Sequence, residues 1–298
     1  MVGQDIIGKD LVMKRSEKNM SPPYFEEIIG RKILCDLDDE SPINKSCLEH
    51  KVLAVIVARS KSSRLPGKAL ADLAGEPAIG HLIKRVLRAK ELGSVTSIAF
   101  CTTGEESDDE LVNFVSDFPV KIYRGDVDDV LSRMMLAVND YNDHDVVLRI
   151  TGDDILIDPY YLNETVKYHL QTNAHYTDAK DLPSGTEVEV FDAKVLQLLI
   201  DLSKDSSGTE YLTNYITDNA DQFKTSSYPA PEQHKLDYRL TIDTVEDYSL
   251  VSSMIESFRS VGKQYTYTMD DIIEFMDLNK DIASINNNIS QRAKPISI

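Results

Sequence analysis

The stretch Arg59-Ser60-Lys61-Ser62-Ser63-Arg64-Leu65-Pro66-Gly67-Lys68 carries four cations and no acid. The whole chain holds 32 Lys+Arg against 50 Asp+Glu, a formal net charge of -18, so this cluster stands apart from its background. Guanidinium and ammonium groups placed together pair well with phosphate oxygens. The run before them, Val52–Val57, is apolar and rich in β-branched residues, the composition of a strand buried on both faces. A cationic loop at the carboxyl end of such a strand sits where open α/β sheets bind ligands. Asp153 and Asp243 each follow a predicted strand, 146–150 and 238–242, and so are expected at the same edge. Two carboxylates beside a phosphate site suit Mg²⁺, which takes few protein ligands and fills the rest of its shell with phosphate oxygens and water. A lone aspartate in such a loop is more often a turn or capping residue. These residues alone specify a nucleoside triphosphate, with no choice of base.

From Ala58 to Lys68 the pattern Ala-Arg-x-x-Ser-x-Arg-Leu-Pro-Gly-Lys resembles the nucleotide-binding loop of the sugar cytidylyltransferases, the group of the CMP-sialic acid and CMP-Kdo synthetases and the spore-coat polysaccharide F-type proteins. YRGDVDDVLSR (123–133), LRITGDDILIDP (148–159) and LTIDTVEDY (240–248) resemble the same family in the same order, so the likeness covers roughly 51–285 and is strongest toward the spore-coat branch. The resemblance implies a Mg²⁺-dependent, homodimeric enzyme that moves CMP from CTP to a nonulosonic or octulosonic acid, with release of pyrophosphate, in surface polysaccharide biosynthesis. It implies nucleotide contacts from Ala58, Arg59, Ser62, Arg64, Lys68, Arg124, Asp129 and Asp153, and catalytic roles for Arg64, Lys68, Asp153 and Asp243. Asp153 and Asp243 would hold the metal, and Glu187, Glu189 and Glu210 would face the sugar.

Three positions depart from the family pattern: Asp154 stands where the spore-coat branch has Cys, Ile155 where it has Pro, and Tyr211 where His is usual. Other readings stay open beside this one. Asp126, Asp128 and Asp129 equally suit a helix N-terminus, where negative charge meets the macrodipole, and Glu187 and Glu189 suit the exposed face of a strand. The acceptor is alternatively a sugar phosphate, or the chain is a non-catalytic nucleotide-binding partner. No Walker sequence, no GxGxxG and no HxGH element occurs.

The segments that must position these residues alternate. Helices are predicted at 78–90, 108–115, 129–141 and 160–170, with strands at 95–101, 120–123 and 145–150 between them. Pro77 can open the first helix, and Met134, Met135 and Val138 read as core. Further on, 186–191 and 238–242 read as strands, and 193–202, 210–217, 245–259 and 269–276 as helices. The expected class is α/β: a mostly parallel central sheet flanked by helices, nucleotide-diphospho-sugar transferase-like, with a small β-rich N-terminal appendage.

Residues 1–50 form that appendage, and parts of 11–43 resemble the antifreeze-like domain that ends sialic acid synthases, with Arg15 matching its arginine. Residues 51–285 form the transferase domain and 286–298 a loose tail. The acidic balance opposes nucleic-acid or anionic-membrane binding. No apolar run approaches the ~20 residues of a membrane span, and the N-terminus lacks a signal-peptide pattern, which gives a cytoplasmic expectation. Cys35, Cys47 and Cys101 have no metal spacing, and their odd number suggests reduced thiols rather than a disulfide framework. The six histidines are scattered and are expected at the surface or in the core.

Overall fold

Six apolar residues in a row leave β1 (Val52–Val57) no polar face, so it needs strand neighbours on both edges and cover on both sides. The computed structural model, which describes residues 2–13, 28–38, 41–202 and 212–289, supplies all four. After β1 the chain runs α1 (Ala78–Glu91), β2 (Ser97–Thr103), α2 (Asp109–Val115), β3 (Lys121–Gly125), α3 (Val130–Asp140), β4 (Val146–Thr151), α4 (Pro159–Thr172) and β5 (Tyr176–Asp178). It continues through β6 (Glu189–Asp192), α5 (Ala193–Leu202), α6 (Leu212–Asp218), β7 (Thr225–Ser227), α7 (Val245–Ser260), α8 (Met269–Leu278) and α9 (Lys280–Ala283). The sheet order is β3-β2-β1-β4-β6-β5-β7. β2 and β4 flank β1 in parallel, while β6 runs antiparallel to both β4 and β5. The fold is α/β with a mostly parallel seven-stranded sheet, nucleotidyltransferase-like in architecture, plus a two-stranded hairpin, Asp72–Leu73 with Glu76–Pro77.

Alternation along β1 divides the core. Ala54 and Ile56 pack with Ile79 and Leu82 of α1, Leu162 of α4 and Leu250 of α7. Leu53 and Val55 face Met134 and Val138 of α3 and Leu196 of α5. The chain moves outward from β1 to β2 and β3, then returns to the other edge of β1 with β4. The crevice at that reversal opens at the carboxyl ends of β1 and β4.

Four sequence expectations are corrected. Residues 238–242 form no strand: a single bridge joins Ser184 to Arg239. Their backbone is engaged by distant loops instead, with Leu240 N–H donating to Ser184 O and Ile242 N–H to Asp153 O. The strand expected at 186–191 begins only at Glu189, because Gly185 turns the chain with a φ of +92°. The tail is tied down at its start, since Asn286 is buried and donates to Arg239 O and to Asp247 Oδ1, both at 2.8 Å. Cys35 and Cys47 are joined by a disulfide, and only Cys101 is a free thiol. The bond staples a unit whose buried apolar core is four residues, Ile6, Ile28, Ile33 and Leu48, too few to hold a segment of this size unaided.

That N-terminal unit carries isolated bridges, Asp5 with Lys32 and Ile33 with Leu48. It docks on the amino edge of the sheet through Arg31 and His50 on Asp145, and Lys45 on Asp192. Pro22, Pro23 and Arg15 lie outside the described residues. Among the described residues no helix is long and apolar enough to cross a membrane.

Candidate active site

The basic loop leaves β1 at Ala58, whose N–H donates to Cys101 O of β2, and turns at once. Asp108, just before α2, fixes that turn. One carboxylate oxygen accepts from Ser60 N–H at 2.7 Å, and the other takes the Thr102 hydroxyl, the Thr103 hydroxyl and the Thr103 N–H. Burial would raise this carboxyl, but the four hydrogen bonds outweigh it and hold it below the usual range. The sequence marks Asp108 only as the start of a helix. Further round the loop, Ser62 Oγ accepts from Leu65 N–H at 3.4 Å, and Gly67 adopts a φ of +72° before the turn Lys68–Leu70.

Lys68 Nζ lies 2.6 Å from Asp153 Oδ2 and 2.7 Å from Asp243 Oδ1. One ammonium therefore bridges two aspartates that are 90 positions apart in the sequence. Arg64 Nη2 adds 2.7 Å to the second oxygen of Asp243, and Arg239 Nη2 reaches that oxygen at 3.2 Å. Burial would lower the Lys68 ammonium, yet the two aspartates carry it above its ordinary value. Burial would raise the Asp243 carboxyl, yet Lys68 first, then Arg64 and Arg239, hold it below the carboxylate range.

Backbone contacts fix the two acids relative to each other. Asp153 follows β4, and its carbonyl accepts from Ile242 N–H at 3.0 Å, one residue before Asp243. Gly152 admits no side chain: a Cβ there would fall 2.4 Å from the Ala58 Cβ. Gly185 is as tightly placed, 2.3 Å from Thr241 N on the same reckoning. Asp243 is braced from below by Asp247, which accepts the N–H of Asp243 and of Thr244 and binds Arg239 through both oxygens at 2.9 and 3.0 Å. Thr244 and Asp247 also form the capping box of α7. The Thr-x-x-Asp spacing is the signal that marks Asp247 in the sequence; nothing comparable marks Arg239.

The other expected residues are placed as follows. Arg59 is exposed and donates to Val127 O at 3.3 Å. Arg124 is turned toward the end of β2, donating to Thr103 O, to Glu105 O and to Asp109. Asp129 is 8% exposed and caps α3 by accepting from Ser132 N–H. Glu189 of β6 pairs with Arg149 of β4 and accepts from the Tyr176 hydroxyl at 3.2 Å. Glu187 is exposed and accepts from Gly185 N–H at 3.2 Å. Asp154, bonded by the Thr151 hydroxyl, is pushed well above the carboxylate range by burial first, then by the charges of Asp153 and Glu187. Glu210 and Tyr211 lie outside the described residues.

Cations and a pair of acids gathered at the sheet's reversal point, where open α/β sheets bind ligands, suit a nucleotide-handling α/β protein. Residues 53–286 match the family described as cytidylyltransferase, and the chain belongs to that family. Among relatives, an uncharacterized protein of Methanocaldococcus jannaschii is 32% identical over 82% of this chain and 97% of its own length. The spore coat polysaccharide biosynthesis protein SpsF of Bacillus subtilis is 29% identical over 78% of this chain and 97% of its own. A solved cytidylyltransferase from Leptospira borgpetersenii superposes with a TM-score of 0.71, at 28% identity, over 82% of this chain and all of that one.

Proposed function

We propose that the protein transfers a cytidylyl group from CTP to a hydroxyl of a nonulosonic or octulosonic acid, releasing pyrophosphate, in surface polysaccharide biosynthesis. The observation that carries this reading is the single ammonium of Lys68 bonded to both Asp153 and Asp243 at the crevice floor. The family membership supports the cytidine nucleotide. The Bacillus subtilis relative's name supports the place in polysaccharide biosynthesis, and the antifreeze-like resemblance of the N-terminal segment supports the acceptor class.

The donor set fits Mg²⁺. Two carboxylates share one locus, and among the described residues no group of three or more His, Cys, Asp or Glu offers the richer cage that other metals use. Asp153 and Asp243 would hold the ion, which when bound supplies positive charge against the α-phosphate and the departing pyrophosphate. Arg64 and Lys68 exchange their aspartate partners for phosphate oxygens, and Arg59 meets the nucleotide at the far end of the loop. The acceptor hydroxyl attacks the α-phosphorus in line and gives up its proton to solvent, the bond to the bridging oxygen breaks, and pyrophosphate departs. Positioning and electrostatics supply the rate. Glu187 and Glu189 line the acceptor side as hydrogen-bond acceptors for sugar hydroxyls, and the active molecule is a homodimer.

A pyrophosphate-release screen of the four nucleoside triphosphates against ulosonic acids and sugar phosphates tests the assignment. Release is expected with CTP and a sugar acid only. Release with a sugar phosphate alone would replace the acceptor, and no release with any pair would remove the enzyme reading. Asp153→Ala and Asp243→Ala should each abolish the reaction.

A further inference from the structure

Charge in the crevice is unevenly balanced. At one end of the basic loop Arg64 and Lys68 are matched by Asp153 and Asp243, and Lys61 is matched by Glu105 at 2.6 Å. At the other end stand two guanidinium groups that have no ion pair among the described residues. Arg133, from α3, is 2% exposed; its Nη1 donates to Asp126 O at 3.0 Å and reaches Val127 O at 3.5 Å, while its Nε has no partner. Arg59 Nη1 donates to the same Val127 carbonyl. Two like charges therefore converge on one oxygen.

The acids nearby are committed elsewhere. Asp108 spends its oxygens on Ser60, Thr102 and Thr103, and Asp126 Oδ1 accepts from the N–H groups of Asp128 and Asp129. Ser60 Oγ, next to Arg59 in the chain, is also buried without a partner. Asp108 and Asp126 attract Arg133 from a distance, but no carboxylate among the described residues bonds either guanidinium, and a desolvated cation held beside another without a direct partner is unfavourable until an anion arrives. Since Arg64 and Lys68 are already neutralised, this end offers the crevice's uncompensated positive charge to a polyanion.

We propose that Arg133 is a positioning residue of the nucleotide site: it fixes the Val127 carbonyl that aims Arg59, and with Arg59 it forms a two-guanidinium cradle for a phosphate group of the triphosphate, one that departs as pyrophosphate. The inference rests on the nucleotidyl-transfer reading above and adds to it a residue and the phosphate it serves. A neutral base would not answer the doubled charge; a phosphate group does.

Calorimetric titration with inorganic pyrophosphate in magnesium buffer tests this on the full chain, with folding of each variant checked by its thermal melt. Arg133→Met and Arg59→Ala should each weaken pyrophosphate binding about tenfold, the loss of one charged hydrogen bond. The double variant should be little weaker than either single, because the two groups work through one carbonyl. Arg133→Lys keeps the charge and should recover most of the affinity, whereas a purely structural arginine would be lost in both substitutions. Equal losses in Arg133→Lys and Arg133→Met, or fully multiplicative losses in the double variant, would overturn the proposal. Arg64→Ala separates the two levels of inference. Weakened binding in Arg64→Ala with none in Arg133→Met or Arg59→Ala rejects the cradle alone; no weakening in any of the three rejects the nucleotide site itself.

Discussion

A lysine that bonds two aspartates at once holds their like charges together and also blocks them. Lys68 must leave Asp153 and Asp243 before a divalent ion can take both, and a triphosphate gives it somewhere to go. On the proposed function, nucleotide and metal binding are linked through this lysine. Lys68→Ala should weaken nucleotide affinity about tenfold, by loss of a charged contact. The same substitution should tighten Mg²⁺ binding measured without nucleotide, because two uncompensated carboxylates remain. Calorimetry with each ligand separately reads both signs, and unchanged binding of both would place Lys68 outside the site. Asp108 acts one step back. Asp108→Asn removes the charge that orders Ser60, Thr102 and Thr103, so KM for the nucleotide should rise more than kcat falls. A fall in kcat alone would show that the turn at Ser60 does not set nucleotide binding.

The strands and loops that carry these side chains meet at points where a methyl group does not fit. The end of β4 passes Ala58 at Gly152, so Gly152→Ala must push β4 and the basic loop apart. Overpacking of this kind costs about 1–3 kcal/mol, visible as a lower denaturant midpoint. Because Asp153 is the next residue, turnover should fall by more than the stability loss explains; a stable variant with full activity would refute the close approach. The same places show what the sequence made legible. The parallel core could be read because Val52–Val57, the helix at 78–90 and the strand at 145–150 have the right apolar periods, and local pattern governs them. The end of β4 put Asp153 at the edge of the basic loop as its pattern implies; Asp243 reaches the same edge without the strand expected before it, held by Ile242 N–H on Asp153 O. Residues 238–242 were misread because their alternation looks like a strand, while Ser184 and Asp153, distant in sequence, take their backbone hydrogen bonds. Arg133 closes the YRGDVDDVLSR stretch but nothing in that stretch singles it out, and Arg239 carried no local signal. Their roles arise from carbonyls and carboxylates that only the folded chain brings near.

Ion pairs of Arg31 and His50 with Asp145, part-buried, and of Lys45 with Asp192, buried, join the N-terminal segment to the sheet. An open pocket of about 520 Å³ lies at this docking edge, lined by Arg31, Lys45, His50, Asp145 and Asp192 among others, at the amino end of β4. The disulfide makes a separate statement testable by thiol counting. Under denaturing, non-reducing conditions only Cys101 should react, and all three cysteines after reduction. In the folded state Cys101 should resist alkylation as well, since burial pushes its thiol up to about 12.

Acid should undock the segment before it melts the sheet. Burial would raise the Asp145 carboxyl, but hydrogen bonds from His50 and Arg31 hold it far below the usual range. Asp192 is held down in the same way, by His169 and Lys45 against its burial. A carboxyl depressed in the folded state contributes stability above its unfolded value, about 3.9, and that contribution fades as pH falls below it. Buried His169, whose folded value is lowered by desolvation, adds a loss that begins nearer its unfolded value of about 6.5. Amide exchange, corrected for the intrinsic effect of pH, should therefore speed up in residues 28–50 between pH 6.5 and 3.5 while β1 and β4 stay protected. Asp145→Asn should show much of that loosening already at pH 7, with a flatter response below pH 4. Uniform loss of protection across the segment and the sheet would mean that the two unfold as one unit and that these ion pairs do not set the docking.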